Sequence, residues 1–154
     1  KNNYFDTIVA NHMLFYLKDL KQGLTEITRV LKNNGTFYCP TYSKYHMQEI
    51  SELAQNFDSR ISLSDDPLPE RFGLENGKDI LKSYFNYVEL KKYEDYLLIT
   101  EAQPLIDYIL SCHGNQNEYL GNRLKEFKIY IEDLIKESQG IKITKDSGLF
   151  ICTK

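Results

Sequence analysis

The chain has 154 residues, enough for one domain with a sizeable core. Nineteen basic and 22 acidic side chains leave a net charge of −3, and no basic stripe stands out, which argues against a nucleic-acid partner. No apolar run approaches the roughly 20 residues that cross a bilayer. The three cysteines, Cys39, Cys112 and Cys152, show no CxxC spacing, so small buried thiols in a cytoplasmic protein are expected rather than a disulfide framework or a metal site.

Phe5 to Ala10 reads as a strand, rich in β-branched residues and nearly continuous in apolar character, the pattern of a strand covered on both faces. Asn11 to Tyr16 follows as a loop. Asp19 is placed to cap a helix whose face is Leu20, Leu24, Ile27 and Leu31. Asn34-Gly35 is expected to stop that helix, and Thr36 to Cys39 to form the next strand, ended by Pro40. Such a strand–helix–strand unit implies a parallel pair, with ligands at the carboxyl ends of its strands. Ser43 is expected to cap a helix with Met47, Ile50, Ala54 and Phe57 on its face. Residues 58 to 75 read as irregular, broken by Asp65-Asp66-Pro67-Leu68-Pro69, where the acidic pair suits a solvated turn. A short helix over Gly77 to Phe85 precedes two strands, Val88 to Tyr93 and Tyr96 to Thr100. Pro104 suits the first turn of a helix running to about Cys112, which His113-Gly114-Asn115 ends. Glu118 to Glu137 reads as one helix with the stripe Leu120, Leu124, Phe127, Ile131 and Leu134, ended by Gly140. Ile141 to Thr144 and Leu149 to Cys152 then flank Lys145-Asp146-Ser147-Gly148 as a β-hairpin.

Two stretches, Phe5-Asp6-Thr7-Ile8-Val9-Ala10-Asn11-His12-Met13-Leu14 and Glu26-Ile27-Thr28-Arg29-Val30-Leu31-Lys32-Asn33-Asn34-Gly35-Thr36-Phe37, resemble the middle of a class I S-adenosylmethionine (SAM)-dependent methyltransferase. In that family an Asp-bearing strand is the fourth of the sheet, and a helix ending in Arg-Val-Leu-Lys leads into the fifth. Asn33-Asn34-Gly35 stands where Pro-Gly-Gly is usual. The resemblance is strongest over residues 4 to 44. It implies an α/β fold: a partial doubly wound, Rossmann-like sheet of parallel strands closed by an antiparallel hairpin, with a helical insertion at about 101–140. The family's glycine-rich loop has no counterpart, since no glycine precedes Gly23. The whole chain, 1–154, is therefore expected to be the C-terminal part of a methyltransferase domain, inactive alone, in a parent that binds SAM. The other reading of the half-fold is a non-enzymatic interaction module.

The resemblance places Asn11, His12 and Met13 at the methionine end of the cofactor, with His12 as a candidate proton acceptor or hydrogen-bond donor. Their other reading is packing against the next helix. Phe15 and Tyr16, then Thr41 and Tyr42 after the fifth strand, are candidate substrate-side residues. Phe72, Glu75 and Asn76 are candidates for a lid, with Asn76 alternatively a helix cap. His46 and His113 are expected at the surface. A small-molecule acceptor is expected, with neither nucleic acid nor membrane as partner. The Phe5–Ala10 strand, lacking a neighbour, is expected to mediate self-association.

Overall fold

Strand β1 (Phe5–Val9) pairs in parallel with β2 (Leu31–Tyr42), and helix α1 (Leu20–Val30) makes the crossover between them in a computed structural model that describes every residue except Asp65 and Pro67. Helix α1 starts where Asp19 accepts the Gln22 amide at 2.8 Å, a side-chain cap that satisfies one of the free first-turn N–H groups. Asn34-Gly35 does not end it. The chain turns extended at Leu31, and β2 absorbs the intervening residues as an irregularity, with Phe5 opposite Leu31 but Thr7 opposite Thr36. Glycine is needed at 35 for space: a Cβ there would lie 2.7 Å from Leu31 Cδ1 and 3.0 Å from the Asp6 carbonyl.

Pro40 does not end β2 either. It sits opposite Leu149, and its carbonyl accepts from the His12 amide at 3.2 Å. A strand residue points its N and its C=O to the same side. Pro40 therefore turns its missing donor away from β4, so the antiparallel ladder loses no bond at the Pro40–Leu149 pair. The helix expected from Ser43 begins later, as α2 (Gln48–Phe57). The 58–75 stretch contains a single turn of helix, α3 (Leu68–Arg71), and α4 (Gly77–Lys82) follows. The expected break at Asp65-Asp66-Pro67 falls partly outside the described residues.

Two larger corrections concern the late strands. Val88–Tyr93 and Tyr96–Thr100 form one strand, β3 (Tyr87–Ile99). The expected terminal hairpin is likewise one strand, β4 (Ile141–Thr153), which runs antiparallel to β2 with Ser147 opposite Tyr42 and Gly148 opposite Thr41. A tight turn at Lys145–Gly148 would need positive φ angles, and none of these residues has one. The sheet order is β1-β2-β4-β3, and the sheet is open. The expected Glu118–Glu137 helix is divided into α6 (Gln116–Leu120), a 3-10 turn (Gly121–Arg123) and α7 (Leu124–Ser138), after α5 (Ala102–Ser111). Leu124, read as part of the stripe, is 37% exposed as the first residue of α7, while Leu120, Phe127 and Ile131 are fully buried. Gln139 and Gly140, both at positive φ, end α7.

The chain divides into two compact units: Lys1–His46, Leu68–Glu94 and Asp146–Lys154 in the first, Met47–Pro67 and Asp95–Lys145 in the second. The first unit's core is built on one sheet face, from Leu24, Leu31, Phe37, Cys39, Phe85, Phe150 and Cys152. Cys39 and Cys152 are fully buried, and the Cys152 thiol beside it, with burial, pushes the Cys39 thiol far up; Cys112 is half-exposed. The second unit's core joins Ile50 and Ala54 to Ile109, Leu120, Phe127, Ile131 and Ile143. There the Asp58 carboxylate lies 2.6 Å from Arg60 and 2.8 Å from Arg123, whose guanidiniums stand over the rings of Tyr119 and Phe57. The Arg60 hydrogen bond, more than any other contact, holds the Asp58 carboxyl well below the usual carboxylate range.

Candidate active site

The carboxyl ends of β1 and β2 lie side by side in the first unit, and three of the singled-out segments meet there. Beyond β1, the Ala10 amide donates to the Tyr38 carbonyl at 2.9 Å and the His12 amide to that of Pro40, so the ladder carries His12 past the strand's end. His12 has φ +47, a conformation uncommon for a residue with a side chain. It leaves the ring exposed and stacked on Tyr42, centroids 6.0 Å apart and planes 22° off parallel. Tyr42 also meets Phe15 at 5.2 Å and His46 at 5.3 Å. His12 walls an open groove of about 280 Å³ whose other sides include Pro40, Lys91, Lys92, Tyr93 and Ser147.

The third segment is tied to the second by hydrogen bonds. Thr41 Oγ1 donates to the Phe72 carbonyl at 3.2 Å, the Leu74 amide to the Tyr42 carbonyl at 3.3 Å, and the Lys44 amide to Glu75 Oε2 at 3.3 Å. Asn76 stands at the cap position of α4 without capping it. Its amide oxygen instead accepts from the Gly73 amide at 2.8 Å, and its amide nitrogen donates to the Glu70 carbonyl at 2.7 Å, which fixes the loop.

The named residues thus separate by exposure. Asn11, His12, Met13, Tyr16 and Glu75 are open to solvent and Tyr42 is half-buried. Phe15, Thr41 and Phe72 are buried at 2%, 1% and 1% exposure, so they shape the walls from behind. Three residues here have another part than the sequence reading gave them singly. Ser43, 1% exposed, accepts the Tyr45 amide on Oγ at 2.9 Å and the His46 amide on its carbonyl, forming the turn after β2. Tyr45 is exposed, and His46, expected at the surface, is half-buried against Tyr42. The available signal was the hydroxyl–aromatic–imidazole run Ser43-Lys44-Tyr45-His46 directly after a strand. His113 lies exposed in the second unit, away from these loops in sequence and in unit. Among the described residues, no group of three His, Cys, Asp or Glu could hold a metal ion, and no helix is long and apolar enough to cross a membrane.

A parallel β1–β2 pair with its crossover helix, followed by the antiparallel β4 inserted before β3, is the sheet of a Rossmann-like methyltransferase fold. Residues 1–39 match the family model of a methyltransferase domain. A probable polyketide synthase of Dictyostelium discoideum is 30% identical over 98 residues, 62% of this chain and 3% of that protein. A Bacillus halodurans C-125 protein assigned as a methyltransferase aligns with 97% of this chain and 64% of its own, at 11% identity and TM-score 0.53. The YcgJ protein of Bacillus subtilis aligns with 99% of this chain and 65% of its own, at 14% identity and TM-score 0.51. The likeness to class I SAM-dependent methyltransferases therefore holds in sequence over the first quarter of the chain and in fold over nearly all of it. The chain spans less than two thirds of the length of these relatives.

Proposed function

We propose that this chain forms the acceptor side of a SAM-dependent methyltransferase site, at the carboxyl ends of β1 and β2. The observation that carries the reading is the convergence of the loops after both strands on one exposed, aromatic-walled end, in the fold and at the strands where the methyltransferase-domain match lies. SAM, when bound, supplies an electrophilic methyl group, so the protein's task is orientation and exclusion of water, without a catalytic metal or carboxylate cluster. Asn11, His12 and Met13 fit the methionine end of the cofactor: all three are exposed, and His12 opens onto the adjoining groove. Tyr16 and Tyr42 face the acceptor, Glu75 offers a carboxylate at the rim, and Phe15, Thr41, Phe72 and Asn76 hold these groups in place. His12 is the exposed imidazole placed to accept a proton from the acceptor.

The acceptor is proposed to be a small molecule. The polyketide synthase relative favours an acyl intermediate over a free metabolite. The chain's proposed share of the site is the methyl-bearing end. Calorimetric titration with S-adenosylhomocysteine tests this on the natural polypeptide that carries the segment. Binding is expected, with methyl transfer lowered at least tenfold by His12→Ala and affinity changed less. No binding would remove the enzyme reading and leave the interaction module.

A further inference from the structure

Strand β3, which follows β4 in the sheet order, carries a charge pattern with a mirror point. Lys91 and Lys92 precede Tyr93, and Glu94 and Asp95 follow it, so two positive and two negative side chains stand at equal distances from one ring. Charges on an outer strand discourage pairing with an arbitrary sequence, because each loses water without gaining an opposite partner. The chain's own claims on three of the four are slight. Lys91 lies 3.9 Å from Glu89 and Lys92 3.7 Å from Asp146, and among the described residues Glu94 has no ion pair. Asp95 is held by Lys145 at 2.6 Å. Tyr93 and, further along, Tyr96 and Leu98 are 64%, 55% and 56% exposed.

We infer that β3 pairs with β3 of a second copy, antiparallel and centred on Tyr93, because the charges of this strand complement themselves. That register sets Lys92 opposite Glu94 of the other copy and Lys91 opposite Asp95, and the two-fold axis makes each pair twice. Leu90 then meets Tyr96 of the other copy and Val88 meets Leu98, which covers exposed apolar surface on both. The neighbouring registers are poorer. A slip that keeps each sheet face continuous moves the centre to Lys92 or to Glu94, and either residue then faces itself. The pattern thus selects both its own copy and one register. Lys91, Lys92 and Tyr93 also wall the groove onto which His12 opens, so the pairing brings the second copy to the rim of that groove. It requires no methyl transfer and stands apart from that reading. It assigns no occupant to the edge of β1.

The test is sedimentation equilibrium of the natural polypeptide that carries the segment, over a hundredfold concentration range. Lys92→Glu and Glu94→Lys are run each alone and as an equimolar mixture. The unaltered polypeptide is expected to rise from the mass of one copy towards that of two. Either substitution alone sets like charges opposite each other at two places and is expected to raise the dissociation constant at least tenfold. The mixture restores opposite charges at both places and is expected to return to within about threefold of the unaltered value. Tyr93→Cys, at the axis, is expected to give a dimer linked through the introduced thiols on mild oxidation. A constant monomer mass would overturn the pairing. So would association that both substitutions leave unchanged, or a mixture that associates no better than either variant while Tyr93→Cys gives no such link. A monomeric polypeptide in which the thiol introduced by Tyr93→Cys is shielded from thiol reagents would overturn it too, because another part of that polypeptide would then hold the strand.

Discussion

The two units close their cores by different means. The first rests on an apolar sheet face, with Phe37, Cys39, Phe150 and Cys152 fully buried, and at one end Thr41, Glu75 and Asn76 tie loops together. The second packs helices around Phe127 and Ile131 and adds an ionic knot at Asp58, with Asn115 bridging the Ser62 amide and the Arg60 carbonyl. Loops held by hydrogen bonds and ring stacking keep a defined shape while staying open to solvent, and an exposed chemical site needs that combination. The second unit's polar cluster at Asp58 is consumed in its own bonds, and that unit's open groove, about 410 Å³, lies elsewhere, between Thr100, Gln103, Lys128 and Lys136.

The contrast is most strongly probed by Phe127→Ala. It removes a fully buried ring and is expected to cost about 3–5 kcal/mol, read in urea unfolding, with amide exchange accelerating first in α5 and α7. Equal acceleration in β1 and β2 would mean that the division into two units has no energetic counterpart. Next comes Thr41→Val, which strands the buried Phe72 carbonyl at a cost of about 1–3 kcal/mol. Its sharper signature is increased exchange of the Gly73 and Leu74 amides with α7 unchanged. Asp19→Ala, losing the α1 cap, is expected to cost about 1 kcal/mol in the same unfolding experiment.

The pH dependence belongs to the ionic knot. Asp58 has its folded-state pKa depressed, so its contribution is fully present above the unfolded carboxylate value near 3.9 and is lost as pH falls through the acid range. Asp58→Asn should therefore flatten the acid limb of a stability–pH curve, and an unchanged limb would show that the two arginines are solvated rather than engaged.

Much of the first unit could be read in advance. The Asp19 cap, the Leu24 face and the β-branched run at Thr7–Val9 obey local rules, and the helix between the two strands was placed correctly although it ends at Val30, before Leu31-Lys32. The errors arose where tertiary pairing overrode a local signal. Pro40 and Gly148 look like strand breakers, yet each sits at a ladder position that does not need what it lacks, a donor at Pro40 and a side chain at Gly148. Gly121 was too isolated to announce that the helix would be divided by a 3-10 turn. At the site, backbone position was legible because strand ends dictate it. The part of each residue was not, because Thr41 and Asn76 turn their polar groups inward to carbonyls and amides that adjacent sequence does not reveal.

The central claim, that methyl transfer takes place at the carboxyl ends of β1 and β2, is tested most directly by photolabelling the natural polypeptide with methyl-labelled SAM and mapping the labelled peptides. The account predicts label within residues 11–16 and 42–46, diminished by excess S-adenosylhomocysteine and by His12→Ala. Competed label that falls within this chain only on 102–138 would contradict it.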